Sequence, residues 1–234
     1  MRTRTRLALT SVASTSALLA MPSVDAASTV VARYQMNESS TASVMNDSSG
    51  NNLDGSIGSA VVTGAIVSGA TGYRFPFTKP NQPPAKPQRL VKVPDDARLD
   101  PGTGNYSVTV RYRTSESFGN ILQKGQSGAK GGNWKFQAPK GIVRCVFRGT
   151  QGQATAGSGV AINDGRWHTV RCDRTPTSVT MTVDGRVTGK KNRSTGSISN
   201  SNPLTIGGKL NCDQINTTCD YFVGDIDYVT IAKG

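Results

Sequence analysis

Histidine occurs once in this 234-residue chain, at His168, and glutamate only twice, at Glu38 and Glu116. A serine-type triad would have to draw on that single histidine, and it finds no G-x-S-x-G elbow. Zinc is excluded on ligand supply, because no C-x-x-C pair accompanies the lone imidazole. Hydrolysis of a glycosidic bond needs two carboxylates about 5 to 9.5 Å apart, and only Asp225 and Asp227 are spaced to share a strand face. A lyase acting on a uronate would need a His or Tyr base, yet His168 lies in a strand-like run. The expectation is a protein that is not an enzyme. Helix-period segments are missing too, and no stretch approaches the roughly 20 apolar residues of a membrane span.

The N-terminus carries Arg2, Arg4 and Arg6, then small and apolar residues from Leu7 to Met21, then Val24-Asp25-Ala26-Ala27. This is the pattern of a secretory signal peptide, residues 1–26, and it predicts a secreted, extracellular protein without membrane insertion. The remaining residues 27–234 suit one domain. Twenty-six glycines and closely spaced turn signals predict many short strands, an all-β class. The formal charge of +12 falls to +10 without the signal segment. A surplus of that size favours anionic partners and also serves solubility.

Four cysteines in an exported chain predict two disulfides, with three possible pairings. Cys212 and Cys219 lie in one polar loop, where a local bridge closes easily. Cys145 and Cys172 remain, each in a strand-like run beside apolar neighbours, where facing strands come within bridging distance.

Strand signals are clearest in the middle of the chain. Tyr106, Val108, Val110 and Tyr112 alternate with Ser107, Thr109, Arg111 and Arg113. Strands are also predicted over 34–38, 61–67, 73–75, 89–93, 120–124, 133–138 and 142–148. In Ser178 to Val183 the apolar positions are Val179, Met181 and Val183, and Asp184-Gly185 is a tight-turn signal. The pair D-G-x-W-H-x-V (Asp164 to Val170) and V-x-x-x-V-D-G resembles the signature of the laminin G-like domain, within the concanavalin A-like lectin superfamily. Asp47 to Gly55, the segment Pro203-Leu204-Thr205-Ile206-Gly207-Gly208 and the closing run Phe222 to Ile231 resemble that family as well. The resemblance implies an antiparallel two-sheet jelly roll whose first and last strands are neighbours, and it makes Asp225 and Asp227 structural. The E-x-D-x-x-E motif of the related glucanases is absent. Three residues follow Ile231, so the domain is expected to stand alone.

Candidate ligand positions follow from charge and exposure. Arg111 and Arg113 share one strand face, Arg144 and Arg148 another, and Arg171 points away from its core-facing neighbours. In one sheet they would form a basic face for sulfates, carboxylates or phosphates; divided between two sheets they would not. Trp134, beside Gly131-Gly132, is the expected exposed platform for a sugar, with Trp167 in the core. From Pro76 to Pro94 six prolines interleave with Lys79, Lys86, Arg89 and Lys92, a second recognition candidate. Asp47, Asn51 and Asp54 offer oxygen donors of the kind Ca²⁺ takes, and Asp227 would join them if the terminal strands are neighbours; the same residue types also cap turns. The reading is a secreted non-catalytic module for carbohydrate or an acidic polymer. The other readings are an extracellular protein-interaction module or a divergent polysaccharide-active enzyme. No motif indicates nucleic acid.

Overall fold

The computed structural model describes residues 28–67, 70–77, 89–210 and 220–234. The expected signal segment, Cys212, Cys219 and residues 78–88 of the proline-rich stretch lie outside the described residues. The strands are β1 (Thr29–Tyr34), β2 (Val44–Met45), β3 (Gly55–Ile57), β4 (Val62–Val67), β5 (Ala70–Phe75), β6 (Val91–Val93), β7 (Tyr106–Arg113) and β8 (Asn120–Lys124). They continue as β9 (Asn133–Gln137), β10 (Arg144–Gly149), β11 (Gly152–Gly157), β12 (His168–Arg174), β13 (Ser178–Val183), β14 (Arg186–Asn192), β15 (Leu204–Ile206) and β16 (Gly224–Lys233). No helix among these residues is long and apolar enough to cross a membrane.

Two antiparallel sheets form the sandwich. The first runs β14-β13-β12-β7-β16-β5-β4, with β1 also paired to β16, and the second runs β11-β10-β9-β8-β15-β6-β3-β2. The first and last strands are neighbours, with Tyr34 opposite Val229. Strict alternation on β7 places Tyr106, Val108, Val110 and Tyr112 inward, each 2% exposed or less. Cross-strand partners share a face, so Val170 and Cys172 of β12 face inward beside Val110 and Val108. From the second sheet Trp134, Phe136, Cys145 and Phe147 fill the same space, all fully buried. Trp134 stacks on Phe147 with centroids 6.4 Å apart, and Tyr106 meets Trp134 at 5.7 Å. The Cys145–Cys172 disulfide ties β10 to β12 across the core.

Turn chemistry fixes the register of the β13–β14 hairpin. Asp184 (φ 47°) and Gly185 (φ 79°) are both left-handed, as a two-residue type I′ turn requires, and Val183 pairs directly with Arg186.

Two expected elements shift. The strand expected at 34–38 lies at Thr29–Tyr34, because Met36 adopts a positive φ of 49° and takes the chain out of the ladder. The expected strand 89–93 is reduced to Val91–Val93. Strands β11 and β14 were not expected: β11 buries only Ala154 and Ala156, and β14 is exposed at six of seven positions, so neither carries an apolar alternation.

Candidate functional site

The outward face of the first sheet carries a ladder of arginine–aspartate pairs. Arg111 pairs with Asp227, Arg113 Nε lies 2.8 Å from Asp225 Oδ2, and Arg74 Nε reaches Asp225 Oδ1 at 2.8 Å. Trp167, immediately before β12, packs its ring against the Arg111 and Arg113 guanidinium carbons at 4.7 and 5.2 Å. Arg171 Nε donates to Asp173 at 2.8 Å. Asp225 is thus shared by Arg113 and Arg74, and Asp227 is committed to Arg111.

This geometry corrects two expectations. The tryptophans are exchanged: Trp134 is fully buried because β9 turns it toward Phe147, whereas Trp167 is half-buried on the outer face. The arginines do not form one face either, since Arg111, Arg113 and Arg171 belong to the first sheet and Arg144 and Arg148 to the second.

His168 is held between two carboxylates. Its Nδ1 is 2.7 Å from Asp184 Oδ2 and its Nε2 is 3.0 Å from Asp164 Oδ1. Burial alone would lower its pKa, but the hydrogen bonds to Asp184 and Asp164 outweigh it and hold the value above that of free histidine. With both ring nitrogens engaged, the imidazolium braces the start of β12 against the β13–β14 turn.

A second group of cations lies outward on the second sheet and along β14, the edge of the first. Arg144, Val146 and Arg148 point outward on β10, with Gln137, Lys135 and Asn133 opposite them on β9. Arg144 and Arg148 are exposed, have no hydrogen-bond or ion-pair partner among the described residues, and stand about 14 Å apart at ~3.4 Å per residue. The set continues around the β10–β11 turn. A Cβ on Gly152 would come 2.6 Å from Arg193 Nη2, which places that guanidinium against the turn. From Arg193 the exposed cations Lys191, Lys190 and Arg186 follow along β14, the edge of the first sheet, which packs beside β11. Lysines on an edge strand also discourage strand addition, but Arg144 and Arg148 are not on an edge. Lys135, Arg186, Lys190, Lys191 and Arg193 are members that sequence reasoning missed. A signal was present: no Asp or Glu occurs between Glu116 and Asp164 or between Asp184 and Asp213.

The model of the laminin G domain matches residues 112–233, from Tyr112, the last inward residue of β7, to the end of β16. The chain belongs to the laminin G domain family. No curated protein sequence matches it. Among solved structures, Domain 4 of AbnA, a GH43 extracellular arabinanase from Geobacillus stearothermophilus in complex with arabinotriose, is 14% identical, with a TM-score of 0.61 over 88% of this chain and 93% of that one. The binding domain of Botulinum neurotoxin DC in complex with SialylT is 13% identical, with a TM-score of 0.62 over 87% of this chain and 47% of that one. The binding domain of Paraclostridial Mosquitocidal Protein 1 is 11% identical at a TM-score of 0.58, covering 88% and 48%. The chain spans about half the length of these two toxin structures. At such identities the likeness is one of fold.

The donors expected for calcium in this laminin G domain do not fit the ion. Asp47 Oδ1 accepts the N–H groups of Arg33 and Ser49, each at 2.9 Å, and Oδ2 accepts the Ser49 hydroxyl and the Leu53 N–H. Burial would raise its pKa, but these four donors hold it below the usual carboxylate value. Asp54 Oδ1 accepts Asp47 N–H at 2.7 Å, and Asn51 donates Nδ2 to the Val31 carbonyl at 2.8 Å. Asp227 is outside this turn, paired with Arg111. Among the described residues no group of three or more His, Cys, Asp or Glu comes together in a way that could hold a metal. These residues cap and staple the turn.

Proposed function

We propose that this laminin G domain is a secreted, non-catalytic binding module for acidic polymers, held on the track from Arg144, Lys135 and Arg148 to Arg193, Lys191, Lys190 and Arg186. The observation that carries the reading is the contrast between the middle of the first sheet and the track on β9, β10 and the β14 edge. Arg74 and Arg113 share Asp225, Arg111 pairs with Asp227 and Arg171 with Asp173, whereas the track has no carboxylate among its strands. A row of guanidinium and ammonium groups in which Arg144 and Arg148 have no acidic partner among the described residues suits repeated sulfates, carboxylates or phosphates, with arginine able to bind each in two-pronged fashion. Export and the disulfide suit an extracellular setting. The shared fold is compatible with glycan binding, though fold alone identifies no ligand.

Retention on immobilised dextran sulfate and polygalacturonate, with neutral dextran as control, tests the proposal. The protein is expected to bind both acidic polymers and not dextran, and to release as salt rises toward about 0.5 M, where screening shortens to a few ångströms. The double substitution Arg144→Ala and Arg148→Ala is expected to weaken binding at least 10-fold without lowering the melting temperature. Binding indifferent to salt, or unchanged in that variant, would overturn the track.

A further inference from the structure

Strand β16 serves two partners along one of its edges. Gly224, Asp225 and Ile226 pair with Phe75, Arg74 and Tyr73 of β5, and Val229 onward pairs with β1. Between the two halves the register slips at Ile226/Tyr228, where β16 also pairs with β7. Strand β1 therefore stops at Tyr34 before β5 begins its own ladder, and a cleft of about 410 Å³ opens at the junction. Its lining includes Arg33, Gln35 and Asn37 from β1 and the residues after it, Thr71 of β5, and Asp227 and Tyr228 of β16. Alternation explains the first three: Tyr34 and Met36 are fully buried, so the odd-numbered side chains between and beside them are exposed.

The chemistry of this lining is distinctive. It holds two amides, a guanidinium, a carboxylate and the hydroxyls of Thr71 and Thr230, with one half-buried tyrosine. Asn37 Nδ2 donates to Gln35 Oε1 at 3.2 Å, so the two amides hold each other and leave the Gln35 Nε2 donors and the Asn37 Oδ1 acceptor to other partners. Asp227 is fixed by Arg111 from the neighbouring strand β7. With scarcely any aliphatic lining the cleft does not suit a lipid or an apolar peptide, and with Asp227 inside it does not suit a polyanion. Planar groups that both donate and accept match the vicinal hydroxyls of a sugar, and a tyrosine ring offers a surface for the sugar's C–H face. The volume lies in the range of small-ligand sites.

We infer that this cleft is a second binding site, for a neutral mono- or disaccharide unit, independent of the acidic-polymer track. The cleft lies in the outer part of the first sheet, four strands from β14, which is about 19 Å at the usual strand spacing. Occupancy of one site therefore leaves the other open.

Saturation-transfer NMR with the intact protein and a panel of neutral di- and trisaccharides built from hexoses and pentoses tests this. At least one member is expected to give transfer, persisting at high salt, with sub-millimolar to millimolar affinity. Gln35→Ala with Asn37→Ala is expected to lower that affinity at least 10-fold at unchanged melting temperature, because both side chains are exposed and follow the strand. Thr71→Trp, which fills the cleft, is expected to abolish the signal. Arg144→Ala with Arg148→Ala is expected to leave it intact, so the two sites fail or succeed separately. No transfer from any member of the panel, or transfer that survives both cleft variants, would overturn the inference.

Discussion

At the scale of single residues, the buried ion Lys124 shows what a sandwich edge can hold. Its ammonium is fully buried, 2.7 Å from both Asp95 Oδ1 and Asp100 Oδ1 and 2.5 Å from the Asn200 carbonyl. Asp100 also accepts the Ser199 hydroxyl at 3.0 Å. Removing one partner of such a set strands the other without compensation, which costs about 3–5 kcal/mol. Lys124→Met is accordingly expected to lower unfolding free energy by that order in denaturant titration, far more than Arg98→Met, which breaks the more exposed Arg98–Asp96 pair. His168 gives a pH dependence of opposite origin. Its folded pKa is raised, so its contribution is fully present below the unfolded value of about 6.5 and is lost as pH rises through the folded value. Asp184, held low by His168 and by the Thr169 N–H against the effect of burial, contributes above its unfolded value and loses that contribution only in acid. Thermal melts are therefore expected to show a fall in melting temperature from about pH 6 to pH 8.5 that His168→Gln flattens; an identical slope in the variant would exclude the brace.

At the scale of elements, the turn between β10 and β11 is joined to the segment that follows β14. Thr150 and Gln151 donate their N–H groups to the carbonyls of Ser197 and Thr195, each at 3.0 Å. Gly149 permits this, since a Cβ there would lie 2.4 Å from Ser197 O and 2.5 Å from Thr195 O. Buried Arg174 fixes the same segment from inside, donating Nε to Thr195 Oγ1 at 3.1 Å and bonding the Gly196 carbonyl. Gly149→Ala is expected to destabilise the domain by about 1–3 kcal/mol and to disturb acidic-polymer binding, because the turn carries Arg148 on one side and Arg193 on the other. Circular dichroism and the dextran sulfate assay read the two effects separately.

The same elements show what could be read from sequence. Strand β7 was legible because its tyrosines and valines alternate with serine, threonine and arginine over eight residues. The β13–β14 turn was legible from Asp184-Gly185 alone. Strand β11 was not, since its only buried side chains are two alanines, which leave no strong period, and β14 was not, since an edge strand buries almost nothing. The Arg111–Asp227 and Arg113–Asp225 pairs could not be read from sequence because they join residues more than a hundred positions apart. Trp134 misled because the adjacent glycines suggest a loop, while its pairing with Phe147 opposite decides its direction.

At the scale of the whole molecule, the disulfide is the one covalent link between the sheets among the described residues. It joins positions 27 apart, and the chain-entropy account assigns such a loop about 3–4 kcal/mol. Replacing Cys145 and Cys172 with alanine is expected to lower stability by at least that amount, with the loss of packing between β10 and β12 added. An equal melting temperature would mean that the core alone fixes the sheets.

The segregation of acids away from the β9–β11 and β14 side also governs how the molecule approaches a charged surface. Within roughly 8–10 Å of such a surface, the reach of charge in physiological salt, an anionic wall pulls on one side of the sandwich and is indifferent to the arginine–aspartate ladder on the other. Under the proposed function, landing on such a surface is expected to be oriented before any contact forms. The β10–β11 turn and the β14 edge arrive first, and the junction of β1, β5 and β16 is left on the far side, facing the surrounding solution.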